Sequence, residues 1–419
     1  MANSIPRTLK GFRDFLPEEK SLRDRLERKI VESFELFGFQ PVETPTLEYA
    51  ALIMGKYGED ADRLVYTFED RGGRKVALPY DQTVPTARVL SQYQRELPRY
   101  FRRYAVRNVF RAENPQRGRY REFRQCDIDI FGSTSPLADA EIVACTYFAF
   151  RNVGFPEIQI KLNDRQVLME TLAPFAMPRP DVFSIIRSVD KLDKMSEADV
   201  AEELVAKGMD PASAGNALAA IKGARPSESL QAILDAVHRL GVPQGAAIFA
   251  PMLARGLDYY TGPIFEVFVP GFKAGSVAGG GRYDGLIEQL GGPGTPATGI
   301  AFGFDRVVEA AIELGLVVLG PGGAEVLVTV FDEAGCPASL ELAAALRAGG
   351  VRCEVYPALD KIGKQLKLAN QKGIPVVAVL GPEELEQGTV TIRDMRSGEQ
   401  SSSPVDRAVA AITELLAKS

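Results

Sequence analysis

The residues able to do chemistry are unevenly placed along this chain. Nine arginines stand between Arg99 and Arg124 with only Glu113 and Glu122 among them as acids, while the whole 419-residue chain carries a net charge of −6. Binding follows a local patch rather than the overall sum, so a polyanionic guest is expected here. Just beyond, Gln125, Asp127 and Asp129 alternate with Cys126, Ile128 and Ile130. A face lined by Arg, Gln and Asp is poor core, because unpaired buried charge is costly. A solvated ion-pair ladder would require acids to match the arginines, and these are missing.

Further clusters lie far away in sequence. LPYDQTVPTARVL sets Asp81 and Thr83 two residues apart, so that in an extended segment both point one way; either could instead cap a helix running through Arg88. ARGLDYYTGPIFEVF carries Arg255 and Asp258 ahead of Tyr259 and Tyr260, and VAGGGRYDGL places Gly279, Gly280 and Gly281 before Tyr283. Those glycines would let a backbone approach a ligand closely. In GIAFGFDRVVEAAIEL, small residues precede a helix bearing Arg306. A helix start with positive charge suits a nucleotide phosphate, and close strand–helix packing accounts for the glycines as well.

The elements that must position these groups can be read from periodicity. Tyr104 to Glu113 and Glu122 to Phe131 alternate as strands, with Asn114, Pro115 and Gly118 supplying turn chemistry, so an antiparallel hairpin is expected. It would hold Arg107, Arg111 and Glu113 on one face. Leu22, Leu26, Ile30, Phe34 and Phe37 recur at helical spacing before Gly38, and Val42 and Pro45 follow in an extended run. Leu137 to Arg151 reads as a helix, Ile158 to Leu162 as a strand, and roughly Arg165 to Gly241 as an alanine-rich helical region capped at Ser196 and at Asp210-Pro211. After GPGG at Gly320 to Gly323 the rhythm changes. Strands at Val326 to Phe331, Val351 to Tyr356 and Val376 to Leu380 alternate with helices at Pro337 to Ala348, Lys361 to Lys372 and Val405 to Leu416, which predicts a small α/β domain with a mostly parallel sheet. Lys361, Lys364 and Lys367 make a basic helix edge.

Composition narrows the classes. A single histidine, His238, and four scattered cysteines without a C-x-x-C pair argue against a structural zinc site or a histidine general base. The amino terminus lacks a secretory apolar run and nothing approaches membrane-spanning length, so a reducing, cytoplasmic setting is expected. Aromatics are not arranged along the basic strand as base-stacking RNA modules require.

FRAENPQRGRYREFRQ resembles motif 2 of class II aminoacyl-tRNA synthetases in the form that histidyl-tRNA synthetases carry, FGFQPVETPTLEY resembles motif 1, and GIAFGFDRVVEAAIEL resembles motif 3. RGLDYYTG and GGGRYDGL together resemble the two signatures peculiar to the histidyl branch, and the segment containing KQLKLANQKGIP resembles an anticodon-binding domain. The resemblance implies an α+β catalytic core with a mixed, mainly antiparallel sheet flanked by helices, a helical insertion and a C-terminal α/β anticodon-binding-like domain. Its divisions would be residues 1–164 and 242–319 for the core, 165–241 for the insertion and 324–419 for the last domain. It implies ATP-dependent activation of L-histidine and transfer to tRNA-His by a homodimer, with Mg2+ accompanying ATP. Arg111 and Arg255 would be catalytic. Histidine would meet Asp81, Thr83, Gln125, Asp129, Arg255, Tyr259, Tyr260 and Tyr283; ATP would meet Arg111, Glu113, Arg119, Tyr120, Phe123 and Arg306. No metal ligand is assigned. Many bacterial members have Glu where this chain has Asp81, so the charge is kept with less reach. Regulatory relatives of the fold erode the motif arginines and lack the last domain, whereas Arg111, Arg255 and Arg306 are all present here. A carboxylate attacking a phosphate needs charge neutralisation rather than a protein nucleophile, in keeping with one remote histidine.

Overall fold

Alternating side chains dictate the layout. The computed structural model describes residues 6–55, 63–116, 118–178, 180–193, 195–254, 260–320 and 323–417. They form two compact units, Met1–Asp14 with Arg25–Val317, and Phe15–Asp24 with Val318–Ser419.

In the larger unit an eight-stranded sheet reads, edge to edge, Gln40–Pro41, Phe101–Phe110, Glu122–Phe131, Ala297–Gly303, Ala278–Arg282, Pro263–Phe268, Gln159–Asp164 and Ala247–Phe249. The two edge pairings are parallel and the five between them antiparallel. The hairpin is present, but its first strand runs Phe101–Phe110, so Arg111 and Glu113 lie past its end. The chain leaves the ladder there because Ala112 N–H turns to the Leu64 carbonyl, 2.8 Å away. Arg103 stands opposite Asp129, Ala105 opposite Asp127 and Arg107 opposite Gln125. The even-numbered residues Cys126, Ile128 and Ile130 are buried on the other face.

The helix Pro136–Val153 packs beneath that apolar face. Ser135 accepts from the Leu137 N–H, Pro136 opens the first turn, and Gly154 closes the helix at φ 118°, where only glycine is comfortable. Phe302 is sealed in this layer, stacked on Phe150 at 5.1 Å between centroids and edge-on to Phe34 at 5.4 Å. A small sheet of Glu48–Tyr49, Lys75–Ala77 and Thr67–Glu69 lies beside the helix Thr83–Gln92. Asp81 and Thr83 are therefore not in an extended segment: Thr83 opens the helix, and Asp81 accepts its N–H at 2.9 Å.

Five α-helices follow: Arg165–Leu172, Val182–Val189, Glu197–Ala206, Pro211–Lys222 and Glu228–Arg239. Ser196 forms a capping box with Asp199, and Asp210 accepts from the Ser213 N–H with Pro211 in the first turn. The apolar faces of the first four share one core with Tyr260, Tyr283 and Ala297, while Glu228–Arg239 packs against Pro136–Val153. The smaller unit's sheet runs Cys353–Val355, Val326–Val328, Val376–Val379, Thr389–Asp394, Gln400–Pro404. Two of its four pairings are parallel and two antiparallel, so it is mixed rather than mostly parallel. The extra hairpin ends in QSSSP, whose polar, mainly exposed residues carry no strand alternation.

Phe302→Ala should destabilise the larger unit by about 3–5 kcal/mol in urea unfolding followed by circular dichroism. A cost below about 1 kcal/mol would contradict this packing.

Candidate active site

Two adjoining cavities open on the odd-numbered face of the hairpin. The inner one, about 200 Å³, is lined by Tyr80, Asp81, Thr83, Asp127, Asp129, Tyr260 and Tyr283, and the outer one, about 290 Å³, by Glu113, Arg119, Tyr120, Phe123, Ser276 and Arg306. Arg111, Gln125, Gly279 and Ala301 line both, which makes them a single cleft.

The inner cavity is built on close backbone approach. A Cβ on Gly299 would lie 2.0 Å from Asp129 Oδ1, and one on Gly280 would lie 2.0 Å from the Gly299 carbonyl oxygen. These glycines thus make room for the neighbouring strand and the Asp129 side chain, a reason different from the ligand approach expected of Gly280 and the phosphate site or helix packing expected of Gly299. Asp129 accepts a hydrogen bond from the Tyr283 hydroxyl on one oxygen, and its other oxygen lies 2.5 Å from Arg103 Nη2. Burial pushes the Asp129 carboxyl above the ordinary carboxylate range, with Arg103 opposing the shift. Asp127 is pushed up further, by burial first and then by the charges of Asp129 and Asp81.

The outer cavity has the opposite sign. Arg111 donates from Nε to the Tyr80 carbonyl at 3.2 Å, and its guanidinium lies 4.2 Å from the Tyr80 ring centroid and 5.0 Å from that of Phe123. Arg306 is held by the Gly118 carbonyl at 3.1 Å and the Ser276 carbonyl at 2.7 Å. Burial lowers its pKa, and the nearby charges of Arg119 and Arg111 lower it more. Glu113 is 3.6 Å from Arg119. Tyr120 donates to Glu309 at 2.6 Å, and burial together with that carboxylate pushes its phenol up to about 12. Arg13 stacks over the Tyr120 ring and pairs with Asp305. Carbonyl oxygens and rings hold Arg111 and Arg306 in place while leaving their charge uncancelled, an arrangement suited to an anion.

Of the residues singled out in the sequence, Asp81, Thr83, Gln125, Asp129, Tyr260 and Tyr283 meet at the inner cavity, and Glu113, Arg119, Tyr120, Phe123 and Arg306 meet at the outer one, with Arg111 between them. Arg255 and Tyr259 lie outside the described residues. Arg107 shares the face but bonds Thr44 and Thr46. His238 is remote, half-buried near a helix end with a ring nitrogen 3.2 Å from the Val242 carbonyl. Sequence reasoning placed Asp127 on the face of Asp129 without giving it a role, and missed Arg103, because the expected strand began at Tyr104 and the register that sets Arg103 opposite Asp129 lies outside it. Among the described residues no group of three or more metal-ligating side chains is found, and no helix is long and apolar enough to cross a membrane.

Residues 11–307 match the family model described as histidyl-tRNA synthetase, and residues 325–415 match that described as anticodon binding domain. The chain is 40% identical to a histidine–tRNA ligase of Wolinella succinogenes over 94% of this chain and 95% of the relative. It is also 40% identical to that of Aeropyrum pernix, over 99% of this chain and 100% of the relative. Among solved structures it resembles a histidyl-tRNA synthetase from Nostoc, with a TM-score of 0.85 and 29% identity over 99% of both chains.

Folding raises the Asp127 carboxyl above its unfolded pKa, so the folded state binds that proton more tightly. Its penalty is absent below the unfolded value, about 4, and grows as pH rises through the window up to the folded value. Asp127→Asn should therefore stabilise the protein at neutral pH, with a gain that shrinks toward about pH 4 in urea unfolding. A pH-independent effect would contradict the assignment.

Proposed function

The chain belongs to the histidyl-tRNA synthetase family, and on that premise we propose how its cleft divides the work. The activity is that of a histidine–tRNA ligase, an aminoacyl-tRNA synthetase that activates L-histidine with ATP and passes the aminoacyl group to tRNA.

The observation that carries the assignment is the segregation of charge within one cleft. Asp81, Asp127 and Asp129 line the inner cavity, while Arg119 and Arg306 line the outer one and Arg111 stands at the junction. Histidine enters the inner cavity with its ammonium toward Asp81 and Thr83, and its imidazole toward Gln125, Asp129, Tyr260 and Tyr283. ATP lies in the outer cavity against Glu113, Arg119, Tyr120, Phe123 and Arg306. The histidine carboxylate and the α-phosphate then face one another at Arg111. Arg255 and Tyr259 are assigned by the RGLDYYTG signature alone, Arg255 to the carboxylate and α-phosphate and Tyr259 to the imidazole pocket.

A carboxylate oxygen attacks the α-phosphorus and pyrophosphate leaves. The two negative reactants must be shielded from one another while charge builds on the α-phosphate, and fixed guanidinium groups meet both demands without reorganising. No side chain need act as nucleophile. Mg2+ would arrive with ATP, held mainly by phosphates. Glu309 fits one carboxylate contact: its buried Oε2 has no hydrogen-bond partner among the described residues, and it stands beside Gly118 at the outer cavity.

The acceptor end of tRNA-His would meet the loop from Asn114 to Arg121, with residues 165–241 as an insertion between core segments 1–164 and 242–319. Residues 324–419 would take the anticodon, where Lys361, Lys364 and Lys367 are exposed along the helix Ile362–Gln371 and its cap. A homodimer formed through the FGFQPVETPTLEY segment with Val42 and Pro45, and a cytoplasmic setting in keeping with four free cysteines, complete the reading. A binding-only regulatory role is not favoured, because Arg111 and Arg306 both line the outer cavity.

Arg111→Ala and Arg255→Ala should each lower histidine-dependent ATP–pyrophosphate exchange by about a hundredfold or more; near-normal exchange would remove that residue from its role. Asp129→Ala should weaken histidine selection, since a site built to bond polar groups rejects apolar analogues by up to about 10⁴–10⁵. Unaltered histidine binding with phenylalanine and leucine still rejected would contradict the pocket assignment.

A further inference from the structure

Arg103 is the largest fully buried side chain of the protein's described residues, at 0% exposure, and no step of the reaction described above uses it. It stands opposite Asp129 in the hairpin register, on the face that carries Asp127 and Gln125. Its Nη2 lies 2.5 Å from Asp129 Oδ2, a close charge contact that falls outside hydrogen-bond geometry. Its three nitrogens, and Asp127 Oδ1, have no hydrogen-bond partner among the described residues.

A guanidinium buried this deeply is hard to explain by stability alone. Desolvation offsets most of what a buried pair gains, and an apolar replacement of similar volume is often as good. The pair is also unbalanced, with one guanidinium serving two buried carboxyl groups, only one of which it touches. What distinguishes the arrangement is its place: Asp129 forms the wall of the inner cavity, with Arg103 behind one oxygen and the Tyr283 hydroxyl on the other. An imidazole N–H needs an acceptor, and a carboxylate that accepts one hydrogen bond and has a guanidinium behind it keeps lone pairs to offer one.

We propose that Arg103 is a positioning residue for imidazole recognition, a group that does not touch histidine but keeps the Asp129 carboxylate charged and aimed at the ring N–H. The inference rests on the placement of histidine in the inner cavity. Other charges facing Asp129 are those of Asp81 and Asp127, both of the wrong sign to do this.

The test is pyrophosphate exchange with separate KM values for histidine and ATP, on full-length Arg103→Met, Arg103→Lys, Asp129→Asn and the Arg103→Met/Asp129→Asn pair. Arg103→Met keeps much of the side-chain volume without the charge. It should raise the histidine KM by about tenfold or more while the ATP KM moves by less than about threefold. Arg103→Lys, which keeps the charge but not the planar fork, should give a smaller rise. The pair should be little worse than Asp129→Asn alone, because both changes remove one interaction. If Arg103→Met does not fold, Arg103→Met/Asp127→Asn, which removes one charge of each sign, takes its place with the same expectation. A histidine KM within about threefold of the parent in Arg103→Met, or equal rises in both KM values, overturns the inference. If Asp129→Asn raises the histidine KM and the Arg103 variants do not, only the role of Arg103 falls; if Asp129→Asn has no effect, the cavity assignment falls with it.

Discussion

The register of one hairpin governs the rest of the structure. Pairing Arg103 with Asp129 and Arg107 with Gln125 sends every odd-numbered residue from Gln125 to Asp129 to the cleft and every even-numbered one to the core. A slip of one residue would bury Arg124 and expose Ile128, inverting both faces at once. The apolar half of that bargain is strong: Cys126, Ile128 and Ile130 are almost solvent-free above the helix Pro136–Val153. Hydrophobic burial on one side of the strand thus fixes the position of charged groups on the other. The neighbouring strand Ala297–Gly303 reads the same register, since Gly299 sits opposite Asp129 and leaves no space for a side chain there.

Given that register, electrostatics organises the cleft. Three acids line the inner end, and arginines outnumber the acids Glu113 and Asp305 at the outer end. Arg111 is wedged between the Tyr80 and Phe123 rings and bonds a carbonyl, and Arg306 bonds two carbonyls. At the inner end, burial raises the pKa values of Asp127 and Asp129 while Arg103 opposes the rise. A zwitterionic amino acid and a triphosphate are complementary to such a gradient in one orientation only. In the proposed arrangement their reactive groups meet at Arg111, where the two cavities join.

Much of this was legible in the sequence because local pattern and local chemistry coincided. Alternation gave the hairpin, and Ser196 and Asp210-Pro211 gave true helix caps; of the described arginines in the basic cluster, Arg111 and Arg119 line the outer cavity, while Arg102, Arg103 and Arg124 pair with Glu141, Asp129 and Glu27. What escaped required knowledge of partners distant in the chain. Arg103 was one of nine arginines in a basic stretch and fell just outside the expected strand, which begins at Phe101 rather than Tyr104. Asp81 and Thr83 reach the same cavity by a helix start rather than by an extended segment, and Asp81 both accepts the Thr83 N–H from just before the Gln82 N-cap and faces the site. Gly299 and Gly280 are small for the sake of adjacent strands. The antiparallel hairpin of the smaller unit was hidden because an exposed edge strand of serines has no apolar rhythm.

The most direct test is a crystal structure of the full-length protein with a non-hydrolysable sulfamoyl analogue of histidyl-adenylate. The account predicts the imidazole against Asp129 and Tyr283, and the sulfamoyl group within hydrogen-bond reach of Arg111, at about 2.7–3.2 Å. An analogue whose imidazole lies outside the inner cavity, or whose sulfamoyl group is remote from Arg111, would contradict it.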